Sequence, residues 1–187
     1  MSKLETNQVD PSTGTTLTLG TSGDTIAIPS GVTITNSGTA NNFGGINTPA
    51  FHVNLSSNQS VSDNTTTKVQ FNSETFDTNN AFDNSSNYRF TPQTSGKYFV
   101  YFSCIGNSVS VAQLTNLRAY IYKNGSQVAE SRNDVRNEKI YEFTNYTAEV
   151  VTLNGSDDYI EFFGRLDHDG NGVIRANSYA GAYKIIE

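Results

Sequence analysis

Large aromatic side chains are confined almost entirely to one part of this chain. Of its 21 Phe and Tyr residues, 20 lie in residues 51–187, and only Phe43 precedes them. A segment without large apolar side chains cannot bury enough surface to offset the conformational entropy that it loses on folding. We therefore predict an N-terminal arm over residues 1–49 and a globular head over residues 50–187.

The composition of the whole chain indicates an all-β fold. Asn, Ser and Thr account for 64 of the 187 residues, and these residue types favour turns or strands over helices. Turn signals separate candidate strands in the head at residues 50–55, 67–72, 88–91, 96–105, 115–123, 127–132, 139–153, 158–166 and 176–186. Strands of this length and spacing predict an antiparallel jelly-roll sandwich of about ten strands.

Charge and cysteine content exclude several classes of protein. The chain has 12 basic and 18 acidic residues without a Lys/Arg cluster, so we expect no nucleic-acid partner. No apolar run has membrane-spanning length, and the N-terminus lacks the apolar region of a secretory signal, so we expect neither membrane insertion nor ordinary secretion. The single cysteine, Cys104, allows no intrachain disulfide.

The arm contains a regular series of aliphatic pairs. Thr or Ala separates the two members of each pair, and Gly or Pro turns separate the pairs, which are Leu17, Leu19, Ile26, Ile28, Val32 and Ile34. Each pair has the pattern of a short strand with one apolar side. Three chains together could build a narrow core from these pairs, so we predict a thin β shaft or a docking element that leads into a linker. The alternative is a disordered arm.

Several head strands carry large apolar side chains on both faces. One face of such a strand fills the sandwich, whereas the other requires a further partner, because monomers seldom leave large apolar patches in water. Tyr is also favoured at interfaces. We therefore predict a homotrimer whose interface contains Tyr98, Phe99, Tyr101, Tyr120, Tyr122, Tyr159, Phe163, Tyr179 and Tyr183.

One loop has the composition of a ligand site. Residues 167–172 match the first half of an EF-hand calcium loop, but its twelfth position is Ser178 instead of Glu, and the flanking segments are predicted strands. We expect no bound metal or cofactor and interpret the loop as a hairpin turn. The alternatives are calcium of another type or a receptor glycan, bound by Asp167, His168, Asp169 and Asn171.

The sequence contains no convincing catalytic group, so we expect a protein that is not an enzyme. His52 and His168 are the only histidines, and with one cysteine they support neither a zinc site nor a Cys–His pair. Adjacent Asp157 and Asp158 would point to opposite sides of an extended strand and could not flank one sugar. A depolymerase of surface polysaccharide is a remaining alternative.

The head resembles a known family in an ordered set of segments. They include Pro49–Val53, Thr67–Phe71 with Phe76-Asp77, Tyr88–Pro92, Ser95–Phe102, Leu117–Gly125, Asp157–Phe162 and Tyr179–Tyr183. Together they are similar to the globular head of the complement q subcomponent, within the tumour-necrosis-factor-like trimeric jelly-roll superfamily. The resemblance implies a ten-strand jelly roll, a tight homotrimer and a binding role. The collagen stem of that family is absent, because no Gly-X-Y repeat precedes residue 50.

The arm has a different resemblance. Residues 9–20 and 22–34 are similar to fibre and adhesin segments of tailed bacteriophages, especially those of marine and cyanobacterial hosts. This likeness implies a virion protein whose arm docks to other virion proteins and whose head attaches to the host, as a tail fibre does, by binding a surface glycan. A capsid decoration protein that stabilises the shell is the alternative.

Overall fold

The computed structural model describes residues 9–38, 47–109 and 111–185. The chain divides into two compact units, residues 1–43 and 44–187. In the first unit, residues 9–38 form extended segments and turns. One turn is closed by a hydrogen bond from the Asp24 amide to the Thr21 carbonyl at 3.0 Å. No strand forms within residues 9–38, because the short aliphatic pairs have no neighbouring backbone to bond with. Their six side chains are exposed by 43–62%.

The second unit is built from strands. Its described residues contain no helix that could cross a membrane. The strands are β1 Ala50–Asn54, β2 Gln59–Val61, β3 Thr67–Lys68, β4 Ser73–Asp77, β5 Phe82–Asp83, β6 Arg89–Phe90, β7 Gly96–Ser108, β8 Leu114–Lys123, β9 Ser126–Asp134, β10 Glu142–Leu153, β11 Ile160–His168, β12 Gly172–Ile174 and β13 Tyr179–Lys184.

These strands form two antiparallel sheets. The front sheet has the order β10–β7–β13–β1–β4, and β12 and then β2 continue it beyond the end of β13. The back sheet has the order β5–β6–β11–β8–β9, with β3 beside β11. The all-β antiparallel fold predicted from composition is thus confirmed.

Four short strands were not predicted from the sequence, and the strand predicted over residues 67–72 is much shorter in the structure. The missed strands β2, β4, β5 and β12 are brief, and two of them are mostly polar, so they lack the apolar alternation that identifies a strand. Residues 67–72 were predicted as one strand, but the strand ends at Lys68, after which the Val69 amide donates a hydrogen bond to the Phe162 carbonyl of β11 at 2.9 Å. Tertiary contacts, not local pattern, hold these short segments in the sheets.

The core lies between the sheets and is rich in aromatic rings. Phe51 on β1 has no exposed surface and stacks on Phe82 and Phe90, with ring centroids 4.8 and 4.6 Å away. Tyr98 on β7 is also fully buried within this core. Its hydroxyl donates a hydrogen bond to the Thr94 carbonyl at 2.6 Å, and burial raises its pKa to about 12. The prediction that Tyr98 contacts another subunit is therefore wrong.

One charged turn gives a pH-dependent prediction. The carboxylate of Asp83 accepts backbone hydrogen bonds from Ser86, Ser85 and Asn87 at 2.9–3.0 Å. These bonds hold the pKa of Asp83 well below its usual range. Because the folded-state pKa is lowered, the stabilisation is complete above the unfolded value and is lost as pH falls below it.

We expect Asp83→Ala to lower the free energy of unfolding by about 1 kcal/mol at pH 7, after discounting for the exposure of the turn. The difference from the unaltered chain should shrink between pH 5 and pH 2. Urea unfolding of both proteins at a fixed protein concentration measures it. A difference that stays constant down to pH 2 would show that the carboxylate charge does not stabilise the turn.

Candidate functional site

The outer face of the front sheet is aromatic, and strand register explains why. Tyr101 on β7 lies opposite Ala148 on one side and Gly181 on the other, and this row continues through His52 to Phe76. Residues directly opposite each other in a sheet share a face. Parallel rows join Val150, Phe99 and Tyr183, and Tyr146, Ser103 and Tyr179. We call these residues the aromatic face: His52, Phe76, Phe99, Tyr101, Ser103, Tyr146, Ala148, Val150, Tyr179, Gly181 and Tyr183.

The rings of the aromatic face contact one another. Phe99 and Tyr183 have centroids 5.5 Å apart, and Tyr101 lies 6.2 Å from Phe99 and 6.4 Å from Tyr179. The ring centroid of His52 lies 5.4 Å from that of Tyr179. The Nδ1 of His52 is hydrogen-bonded to the Tyr101 hydroxyl at 2.9 Å. The rings of His52, Phe99, Tyr101, Tyr179 and Tyr183 therefore form one continuous cluster.

Small residues make room for this cluster. A side chain at Gly181 would collide with the Tyr101 hydroxyl and would lie 2.6 Å from the Phe51 carbonyl oxygen. The ring of Tyr101 thus covers the space above Gly181, and the residue opposite Tyr101 on the other side is the small Ala148. The result is a face whose central ring lies close to the sheet.

The aromatic face is uncharged near neutral pH but open to water. Phe76, Tyr146, Val150 and Tyr183 expose 47, 51, 47 and 41% of their surface. Burial, together with the neighbouring phenols of Tyr146, Tyr179 and Tyr183, raises the pKa of Tyr101. A face of this kind can bind another apolar surface, and it carries few side chains that could act as nucleophiles, acids or bases in catalysis.

The predicted interface residues divide between the two sheets. Phe99, Tyr101, Tyr179 and Tyr183 lie on the aromatic face, but three others, Tyr120, Tyr122 and Phe163, lie together on the outer side of the back sheet. Phe76, Tyr146, Val150 and His52 were missed. The alternation of Tyr146, Ala148 and Val150 within a predicted strand was the available signal for two of them.

Ion pairs surround the aromatic rings of the back sheet. Lys68 pairs with the largely buried Glu161 and lies over the Phe163 ring, 5.9 Å from its centroid. Arg118 lies 3.6 Å from Glu130. Tyr159 is covered instead by the guanidinium of Arg89, 4.5 Å from its ring centroid. These rings of the back sheet therefore already have charged neighbours.

The predicted ligand loop lies beside a cavity, but its carboxylates do not converge. Asp167 pairs with Arg165 at 3.3 Å, and Asp169 pairs with Lys139. His168 is buried, with its Nε2 3.3 Å from the Val61 carbonyl oxygen, and Asn171 is exposed. A cavity of about 500 Å³ is lined by Ser60–Asp63, Val109, His168 and Gly170–Val173. Across residues 9–38, 47–109 and 111–185, no group of three His, Cys, Asp or Glu residues could hold a metal ion.

The adjacent carboxylates of Asp157 and Asp158 have structural partners. Asp158 accepts hydrogen bonds from the Asn124 amide group at 2.6 Å and from the Asn154 backbone at 2.9 Å, and it lies 2.9 Å from Lys123. Asp157 accepts one from the Asn154 side chain at 2.6 Å. Both groups therefore close the turn between β10 and β11.

Comparison with known proteins identifies the fold. No protein-family model and no curated protein matches the chain. Among solved structures it is similar to murine APRIL at pH 5.0, with a TM-score of 0.54 and 12% identity over 73% of this chain and 98% of that one. It is likewise similar to Eiger TNF from S. frugiperda, with a TM-score of 0.54 and 13% identity over 74% of this chain and 91% of that one.

A third similar structure is the globular domain of zebrafish complement 1qA, with a TM-score of 0.50 and 17% identity over 74% of this chain and 96% of that one. At these identities the likeness concerns the fold alone. The head therefore has the jelly-roll fold of tumour-necrosis-factor-like and complement-q-like domains, as its sequence resemblance implied.

Proposed function

We propose that the protein is a homotrimeric, non-catalytic binding protein of a bacteriophage virion. The aromatic face carries this proposal. It presents four large apolar side chains to water on three strands of one sheet, and burying each one contributes on the order of 1–3 kcal/mol. A second copy of the chain is the occupant that we propose, because the resemblance of the head implies a trimer and the face itself is uncharged near neutral pH.

Ring geometry limits which surfaces meet in such a trimer. In a closed trimer, each protomer contacts its two neighbours through two different patches of its surface, and both patches lie toward the threefold axis. The two outer faces of a sandwich point in opposite directions, so they cannot both converge on one threefold axis. We therefore assign the aromatic face to the interface and leave Tyr120, Tyr122 and Phe163 outside it.

The oligomeric state tests this proposal directly. Native mass spectrometry and sedimentation equilibrium of the whole chain at micromolar concentration are expected to give three times the mass of the 20.4 kDa chain. A stable monomer at that concentration would contradict the trimer.

The virion role is supported by the sequence of the arm. The aliphatic side chains of Leu17, Leu19, Ile26, Ile28, Val32 and Ile34 are exposed in the single chain, and we propose that other virion proteins cover them. The head would then face outward and bind a host surface glycan, with the cavity beside His168 as the candidate site. Capsid proteins could cover the same aliphatic side chains, so a capsid decoration protein is the second candidate function.

Deleting residues 1–48 should separate docking from folding. We expect the remaining head to be a soluble trimer that no longer joins the virion, because the core strands begin at Ala50. Incorporation of the shortened chain into virions would refute the docking role. Antibody labelling of intact virions then distinguishes the two functions: tail localisation supports a fibre, and even capsid coverage supports decoration.

A further inference from the structure

We propose that His52 makes assembly sensitive to pH, so that its protonation releases the trimer while each head stays folded. This inference rests on the proposed trimer and adds a mode of regulation at the same interface. It arises from one feature of the aromatic face: His52 is the only member of the face that can gain a positive charge, and it lies among the aromatic rings.

His52 is held in place by its neighbours in the front sheet. It lies opposite Gly181 on β13 and Phe76 on β4. Its ring is 5.4 Å from Tyr179, 6.0 Å from Tyr101 and 6.4 Å from Phe76, measured between centroids. The 2.9 Å contact between Nδ1 and the Tyr101 hydroxyl fixes the orientation of the imidazole.

Among the described residues, no carboxylate offsets the positive charge that this imidazole gains on protonation. The titratable groups facing it are the phenols of Tyr101 on β7 and Tyr179 on β13, with Tyr146 and Tyr183 beyond them. On β4 the nearest acidic residues are Glu74 and Asp77, which lie opposite Val53 and Phe51. Burial alone lowers the pKa of His52 from its ordinary value of 6.5, so neither carboxylate counteracts the shift.

A partner subunit increases this effect. Neutral His52 can accept the Tyr101 hydroxyl hydrogen at Nδ1, but protonation turns Nδ1 into a donor and reverses the bond. In the free protomer water solvates the resulting cation, whereas in the trimer a neighbouring subunit replaces that water. The surrounding rings attract a cation, but less strongly than the lost water does.

Proton linkage gives the size and direction of the effect. Because the neutral form is favoured in the assembly, its stabilisation is fully present above the pKa of His52 in the free protomer, which already lies below 6.5, and is lost as pH falls below that pKa. Each pH unit below the pKa of the free protomer raises the dissociation constant by up to tenfold per subunit, and hence by up to about a thousandfold for three subunits.

The test compares the unaltered chain with His52→Gln by sedimentation equilibrium at pH 7.5, 6.5 and 5.5 and constant ionic strength. We expect the unaltered trimer to dissociate increasingly below pH 6.5 while its circular dichroism stays that of the folded head. His52→Gln should remain trimeric at all three pH values, because Gln keeps a hydrogen-bonding group without a titratable charge. Equal pH dependence of the two proteins would overturn the inference.

The possible failures are distinguishable. A monomer at pH 7.5 contradicts the proposed trimer itself, whereas a trimer with no pH dependence contradicts only the role of His52. Should His52→Gln fail to fold, NMR titration of the unaltered chain replaces it, because the chain has only two histidines. The pKa of His52 should be lower in the concentrated trimer than in the dilute, dissociated chain, and equal values would overturn the inference.

Discussion

Val150→Arg is expected to convert the proposed trimer into a folded monomer. Val150 lies on β10 opposite Phe99, in the aromatic face, and nearly half of its surface is exposed. An arginine there stays solvated in a single head, so folding should be unaffected. In the trimer it would bring an unpaired charge into an apolar contact, at a cost of about 2 kcal/mol or more in each of three interfaces. The overall dissociation constant should rise by about 10⁴-fold, as measured by sedimentation equilibrium.

Val111→Arg is the matched control. Val111 is also an exposed valine, at 55%, but it lies in the connection between β7 and β8, outside the aromatic face. The same change in charge and size should therefore leave the trimer intact. Dissociation by both variants would indicate a general effect of added charge, and retention of the trimer by Val150→Arg would place the interface elsewhere.

The second large effect concerns the core. Phe51→Ala should lower the free energy of unfolding by about 3–5 kcal/mol, because it removes a fully buried ring and leaves a cavity. Phe51 stacks on Phe82 and Phe90, and its ring also lies 6.4 Å from that of Phe162 on the opposite sheet. The loss is best measured by urea unfolding in the Val150→Arg background, where subunit contacts do not contribute.

Phe76→Ala provides the comparison within the same monomeric background. Phe76 lies on the neighbouring strand β4 but is 47% exposed, so removing its ring should lower the free energy of unfolding by less than about 1 kcal/mol. In the chain without Val150→Arg, we expect Phe76→Ala to have the larger effect on subunit association, because it weakens the proposed trimer. Similar unfolding energies for the two variants would contradict the assignment of Phe51 to the core and Phe76 to the surface.

Much of the fold could be predicted from residue types along single strands. The long strands β7, β8, β10 and β11 were recognised because Tyr, Phe, Val, Ile and Thr favour strands and because turn residues separate these segments. The short strands β2 and β12 were not, since three residues carry too little pattern and pair only where β7 extends beyond β13. Tyr98 shows another limit: alternation groups it with Val100 and Phe102, but a tyrosine on the core side cannot be told from an interface tyrosine by residue type.

The candidate site was predicted only in part for the same reason. The sequence by itself determined that the head is an aromatic-rich β sandwich with more large side chains than one core requires, because composition and alternation are local properties. Only the tertiary structure decided which rings meet. In that structure Tyr101 lies over Gly181 and beside His52. Three other residues predicted for the same interface lie on the back sheet, namely Tyr120, Tyr122 and Phe163. Strand order and register fix these neighbours, and both depend on pairing between residues far apart in the chain.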